Sequence, residues 1–127
     1  MDVLVPVDGS DCSIRAVEFA VGFADRYDAT LRVVHFSDAE TDATAETLDR
    51  AREALDGADA RVETALRDMP LGTATEAGKA ILSYVENEGI DHVVMGHHGS
   101  GRVQRAILGS AAETVVRGET VPVTVVP

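Results

Sequence analysis

The feature that most constrains this chain is an alternation. Short apolar runs rich in valine recur from end to end: Val3 to Val7, Leu31 to Phe36, Arg61 to Leu66, His92 to Met95 and Val121 to Val126. Between them lie segments whose apolar residues recur with helical spacing. Buried strands separated by helices predict a doubly wound α/β domain, with parallel strands and helices on both faces. The length of 127 residues fits one such domain, 1–127, with one core.

The connecting segments are legible in the same way. In residues 13–27 the polar positions from Arg15 onward step by three and four, which predicts a well-buried helix with a narrow wet stripe. Ala45, Leu48, Ala51 and Leu55 draw a thin apolar face on an exposed helix over 45–56, with Gly57 at its end. Ala74, Ala77, Gly78, Ile81, Leu82 and Val85 share one face of a helix over 74–85. The preceding Thr-Ala-Thr-Glu is a capping-box pattern, and Gly89 closes the helix. Ser110 to Arg117 is a fourth, short helix. Arg61 to Leu66 is weakly apolar, as an edge strand is, and Met69-Pro70 breaks it. Pro122 lacks an N–H for a sheet ladder, which places the last strand at the other edge.

Composition narrows the function. The chain is 45% hydrophobic but only 4% aromatic, so the core is aliphatic. No apolar run approaches the ~20 residues that span a bilayer, and the start lacks a basic, apolar leader pattern. Cys12 is the single cysteine and has no internal disulfide partner; it reads as a small residue near a helix start. Together these predict a cytoplasmic, membrane-free protein. The net charge of −11 argues against nucleic-acid binding through a broad basic face.

The chemistry concentrates in Gly-His-His-Gly-Ser-Gly-Arg-Val-Gln-Arg-Ala-Ile-Leu-Gly-Ser, residues 96–110. In open α/β sheets, ligands sit beyond the carboxyl ends of the strands where strand order reverses. The candidate exits are Asp8-Gly9-Ser10, Phe36-Ser37-Asp38, Asp68-Met69 and Gly96 onward. Gly96 and Gly99 admit close backbone approach, and successive N–H groups there can form an anion nest. Gly109-Ser110 opens a helix whose free N–H groups face the same place. Ser110 and Glu113 also match a capping box, which would explain the serine without a ligand. Arg102 and Arg105 are the basic pair near the loop, either phosphate partners or solvated surface. His97 and His98 have no third metal ligand at a recognisable spacing, and His35 and His92 read as strand packing residues.

Gly96, two residues, Gly99, nine residues and Gly109-Ser110 reproduce the G-x2-G-x9-G-S/T pattern, and with it the chain resembles the ATP-binding universal stress proteins. The opening Val-Leu-Val-Pro-Val-Asp-Gly-Ser, the second strand Leu-Arg-Val-Val-His-Phe-Ser-Asp, the fourth His-Val-Val-Met-Gly and the last Val-Pro-Val-Thr-Val-Val-Pro are all similar to the family's elements. The resemblance implies a three-layer sandwich around a five-stranded parallel sheet of order 3-2-1-4-5, Rossmann-like and of the adenine nucleotide alpha hydrolase type. It implies that Asp8 lies near the adenosine, with Pro6 and Val7 lining the same wall. Phe36 takes the place of an apolar residue beside adenine; an aromatic ring there either stacks or crowds the pocket. Met95 and Gly96 would flank the ribose, and Gly99, Gly109, Ser110 and Ala111 would hold the phosphates, with His98 and Arg102 beside them. The implied ligands are ATP and Mg2+, the metal held mainly through the phosphates. The implied partner is a second copy, joined through Val121 to Val126. Eleven basic residues with one lysine, Lys79, in an acidic chain resemble proteins of salt-loving microbes and point to a halophilic archaeon.

Three functions fit these residues: a nucleotide-binding stress or regulatory protein, a slow ATPase, and a dimeric interaction module without a ligand. The first is favoured, because the glycine loop is whole and no Walker lysine or nucleophile–base pair is visible.

Overall fold

The computed structural model describes residues 1–66, 74–98 and 108–127. Among the described residues nine elements alternate: β1 (Asp2–Pro6), α1 (Asp11–Tyr27), β2 (Thr30–Ser37), α2 (Asp42–Leu55), β3 (Ala60–Leu66), α3 (Ala74–Glu88), β4 (His92–Gly96), α4 (Ser110–Arg117) and β5 (Val123–Val126). The strands form one five-stranded parallel sheet of order β3-β2-β1-β4-β5. β1 therefore pairs with β2 on one side and, through Val3 and Leu4, with β4 on the other. The order reverses between β1 and β4, as expected for this class of fold.

Alternate strand residues feed two separate cores. Val3, Val5, Val7, Leu31, Val33 and Val94 pack under Ala16, Val17 and Ala20 of α1 and Ala51 and Leu55 of α2. Leu4, Val34, Val93 and Met95 pack on the opposite face under α3 and α4. A central strand buried on both faces has to be apolar at every position, and all of Val3 to Val7 is buried.

The helix starts explain why periodicity found the helices but misplaced some ends. Ser10 caps α1, its hydroxyl accepting from the Ser13 N–H. Thr41 caps α2 and accepts from the Thr44 N–H, so this helix begins at Asp42, ahead of its apolar face. β5 starts at Val123 and not at Val121. Pro122 stays outside the strand, but its carbonyl still accepts from the Val93 N–H. Thr73 of the expected capping box, the Met69-Pro70 break and the Asp68-Met69 exit lie outside the described residues. α1 and α2 end on Asp28 and Asp56, with φ of 52° and 49°, and Glu119 after α4 has φ of 52°.

The stripe on α1 is wider than its polar residues indicate. Phe19 is 47% exposed and Tyr27 61%. The sheet ends at β5: all four of its residues are only half-buried, and Val116 of α4 is 45% exposed. His92 lies at this margin, its Nε2 2.8 Å from the Thr124 hydroxyl and its ring 4.9 Å from that of Phe23. Burial depresses its basicity.

Two outcomes test this packing. A Cβ on Gly78 would lie 2.6 Å from the Thr114 Cβ and 3.1 Å from the Ala111 carbonyl oxygen. Gly78→Ala gains about 1 kcal/mol of helix propensity, but separating α3 from α4 costs about 1–3 kcal/mol. Chemical denaturation should show a net loss of stability. For His92, the folded pKa lies below the unfolded value of 6.5, so the unfolded chain binds the extra proton. Its share of stability is complete above that value and is lost as pH falls through it. Melting temperatures measured from about pH 7.5 to about pH 5 should fall less steeply in His92→Gln than in the unaltered chain.

Candidate functional site

The turn after β1 is built by its own side chains. The Asp8 carboxylate accepts through Oδ1 from the Ser10 N–H at 2.9 Å and from the Ser10 hydroxyl at 2.5 Å. Its Oδ2 has no partner among the described residues. The Asp8 N–H points to Ser13 Oγ at 3.4 Å, and that hydroxyl donates to the Ser10 carbonyl at 2.9 Å. Gly9 between them has φ of +84°, a conformation that glycine adopts without strain. Arg50 of α2 clasps the turn from outside, donating to the Gly9 carbonyl and, at 2.8 Å, to Asp11 Oδ1. Asp8 is thus a turn residue and, through its second oxygen, an available acceptor.

β4 ends against this turn. A Cβ on Gly96 would lie 3.0 Å from Cys12 Sγ, 3.1 Å from the Cys12 carbonyl carbon and 3.1 Å from the Ser13 nitrogen. The bare glycine lets the strand end rest on the first turn of α1. The backbone of the next residue is held at both its groups: the His97 N–H donates to the Val126 carbonyl at 2.7 Å, and the His97 carbonyl accepts from the Gly109 N–H at 2.8 Å. Buried Cys12 joins this junction, donating to the Val126 carbonyl and accepting from the His97 N–H, each at 3.1 Å. The thiol is a packed structural group, as its place near a helix start suggests.

α4 leaves the same corner. Its N-cap is Gly109, not Ser110, and no side chain caps it. The capping-box reading of Ser110 is therefore overturned: Ser110 is the first helical residue, and Glu113 pairs with Arg117 at 2.9 Å. The Ser110 hydroxyl has no partner among the described residues, and the first-turn N–H groups of α4 face the corner as an anion-binding end would. Gly109 has an ordinary φ of −63°. It is small because a Cβ would lie 2.8 Å from the His98 Cα.

These pieces enclose a cavity of about 160 Å3 that opens to solvent. Pro6, Val7, Asp8, Phe36, Met95, Gly96, His98, Gly109, Ser110 and Ala111 all line it. Gly99 and Arg102, with Arg105, lie outside the described residues. Ser13, Ala77, Ile81 and Ala112 line the cavity too and were not singled out from the sequence. Ser13 was readable as the partner of a Ser10 cap; the others look like ordinary helix core. The cavity is apolar where β1, β2, β4 and α3 meet, and polar at the β1–α1 turn and the start of α4. His35 stands outside it, with Nδ1 2.8 Å from the Val7 carbonyl. The rings of His97 and His98 lie 5.6 Å apart, and no group of three or more metal-ligating side chains occurs among the described residues.

Behind Phe36, on α3, stands Tyr84. The two rings meet edge to face, 5.6 Å apart and at 88°. The Tyr84 hydroxyl donates to Glu63 Oε1 at 2.6 Å, and Arg32 of β2 pairs with Glu88 at 3.2 Å. Burial, together with the Glu63 bond, raises the Tyr84 pKa above the ordinary phenol value, and the neighbouring Tyr84 raises that of Arg32.

A parallel sheet of this order, with a cavity at its reversal point, defines a Rossmann-like α/β domain. Sequence comparison makes the class specific: the chain belongs to the universal stress protein family, whose model matches residues 1–127. A universal stress protein of Methanocaldococcus jannaschii is 27% identical over 140 residues, covering 98% of this chain and 80% of the relative. A universal stress protein from Archaeoglobus fulgidus, solved in complex with dAMP, superposes with a TM-score of 0.76 at 23% identity, covering 100% and 98% of the two chains. Another, solved in complex with cAMP, gives 0.70 at 22% identity, covering 100% and 97%.

Proposed function

We propose that this chain binds an adenine nucleotide, ATP with Mg2+, in the cavity at the carboxyl ends of β1 and β4, and that occupancy serves a regulatory or stress-response role. The observation that carries the reading is convergence. Three separate backbone segments, the Asp8 turn, Gly96–His98 and Gly109–Ala111, meet at one opening. Asp8 Oδ2 is an acceptor suited to a ribose hydroxyl. The first-turn N–H groups of α4, with the Ser110 hydroxyl, suit phosphate oxygens. Pro6, Val7, Phe36 and Met95 suit the base. Mg2+ would be held mainly by the phosphates, in keeping with its preference for phosphate oxygens over all-protein cages. The dAMP and cAMP complexes of structural neighbours support an adenine nucleotide as the ligand.

Two further readings belong with it. The acidic, lysine-poor composition fits a halophilic archaeal cytoplasm, where the Debye length falls to about 3 Å near 1 M salt and self-repulsion is screened. The half-buried Val123–Val126 edge, unpaired on one side, fits a homodimer closed by the same strand of a second copy.

Calorimetric titration of Mg-ATP in molar KCl tests the site. Saturable binding is expected, reduced about tenfold by Asp8→Ala and abolished by Gly99→Val. Absence of binding by the unaltered chain overturns the reading, and ADP accumulating over hours replaces it with a slow ATPase. Light scattering in the same salt should give twice the chain mass, falling to one chain mass when Val123 and Val125 are both replaced by Asp.

A further inference from the structure

We propose that Arg50 of α2 is a positioning residue for the nucleotide: by holding the Gly9–Ser10 peptide it fixes the Asp8 carboxylate and leaves the second carboxylate oxygen to the ligand. The inference rests on the nucleotide-binding reading and extends it to a helix that supplies none of the cavity lining among the described residues.

One peptide unit carries two of the bonds in the turn. Its carbonyl, that of Gly9, accepts from the Arg50 guanidinium, and its N–H, that of Ser10, donates to Asp8 Oδ1 at 2.9 Å. A peptide is planar, so a group that fixes the carbonyl also fixes the direction of the N–H. Bonds at the two ends of one peptide polarise each other as well. Without the arginine this unit turns easily, because Gly9 sits at φ +84° and glycine moves between such conformations at little cost. A turned peptide takes the Ser10 N–H away from Asp8 and frees the carboxylate to rotate.

The peptide ahead of Asp8 is held in the same manner. The Val7 carbonyl, which can only accept, takes a bond from His35 Nδ1 at 2.8 Å, and the Asp8 N–H of the same unit points to Ser13 Oγ at 3.4 Å. β2 and α1 thus hold one side of Asp8, and α2 holds the other. Buried Thr47 of α2 closes on the glycine itself, its Oγ1 2.9 Å from where a Cβ would stand. The Arg50 fork grips the turn on both sides of Ser10, with Nη1 at Gly9 and Nη2 at Asp11. Arg50 and Asp11 are exposed, so their ion pair contributes little to the stability of the fold.

The experiment titrates Mg-ATP in molar KCl into the unaltered chain, Arg50→Ala, Arg50→Lys, Asp8→Ala and the double variant Asp8→Ala with Arg50→Ala, with a melting curve for each. Arg50→Ala should lose about threefold in affinity while melting close to the unaltered chain. Arg50→Lys keeps one donor for the carbonyl and should recover most of that loss. In the Asp8→Ala background, Arg50→Ala should cost nothing further, because the group it positions is gone. Equal losses in the two backgrounds mean that Arg50 does not act through Asp8, and they overturn the assignment. Full affinity in Arg50→Ala, with the unaltered chain binding, sinks this inference alone. No binding by the unaltered chain removes the nucleotide reading and this inference with it.

Discussion

The structure depends on one close approach, the end of β4 against the first turn of α1. With backbone and sulfur atoms of Cys12 and Ser13 at 3.0–3.1 Å from where a Cβ would stand, position 96 has no room for a side chain. That contact joins the two strand ends that flank the reversal of the sheet. It also brings the Asp8 turn within reach of the chain that leaves β4. The His97 backbone then ties three elements into one corner: its N–H serves the end of β5, and its carbonyl serves the start of α4. Buried backbone groups need partners, and here meeting that need also shapes the cavity.

The two cores divide the labour. The α1–α2 face is packed with small aliphatic side chains and supports the turn that carries Asp8, with Thr47 and Arg50 reaching it from α2. The α3–α4 face carries the larger groups, Met95, Ile81 and the Phe36–Tyr84 pair, and forms the apolar end of the cavity. Two separate polar contacts lie near this face: the Tyr84 hydroxyl bonds Glu63, which also pairs with Arg61, and Arg32 pairs with Glu88.

The elements were legible because strand and helix periods differ, and apolar residues report them directly. The sheet order came from family resemblance and from no local pattern, since pairing is a long-range property. What periodicity could not see was polar or local. The first turn of α2, Asp42-Ala43-Thr44, has little apolar content and is held by the Thr41 cap. Phe19 lies outside the polar stripe of α1, yet it is 47% exposed. Ser110 satisfies the capping-box spacing, but Gly109 takes the cap because the close contact with His98 selects glycine there. In the site, glycines and turn residues were readable because their chemistry is local. Ser13, Ala77 and Tyr84 were not, because their parts depend on which helix packs over which strand.

Left-handed backbone positions carry a different consequence. Asp28, Asp56 and Glu119 adopt the conformation that glycine would take with least strain. Aspartate tolerates it better than most residues, and glutamate less well. All three are solvent-facing. Surface carboxylates therefore occupy places where backbone geometry alone would favour glycine. The acidity of this chain is not a coat applied to indifferent positions; some of it is held against local conformational preference. At Asp28, Asp56 and Glu119 one residue sets both the local surface charge and the shape of the chain at a helix end.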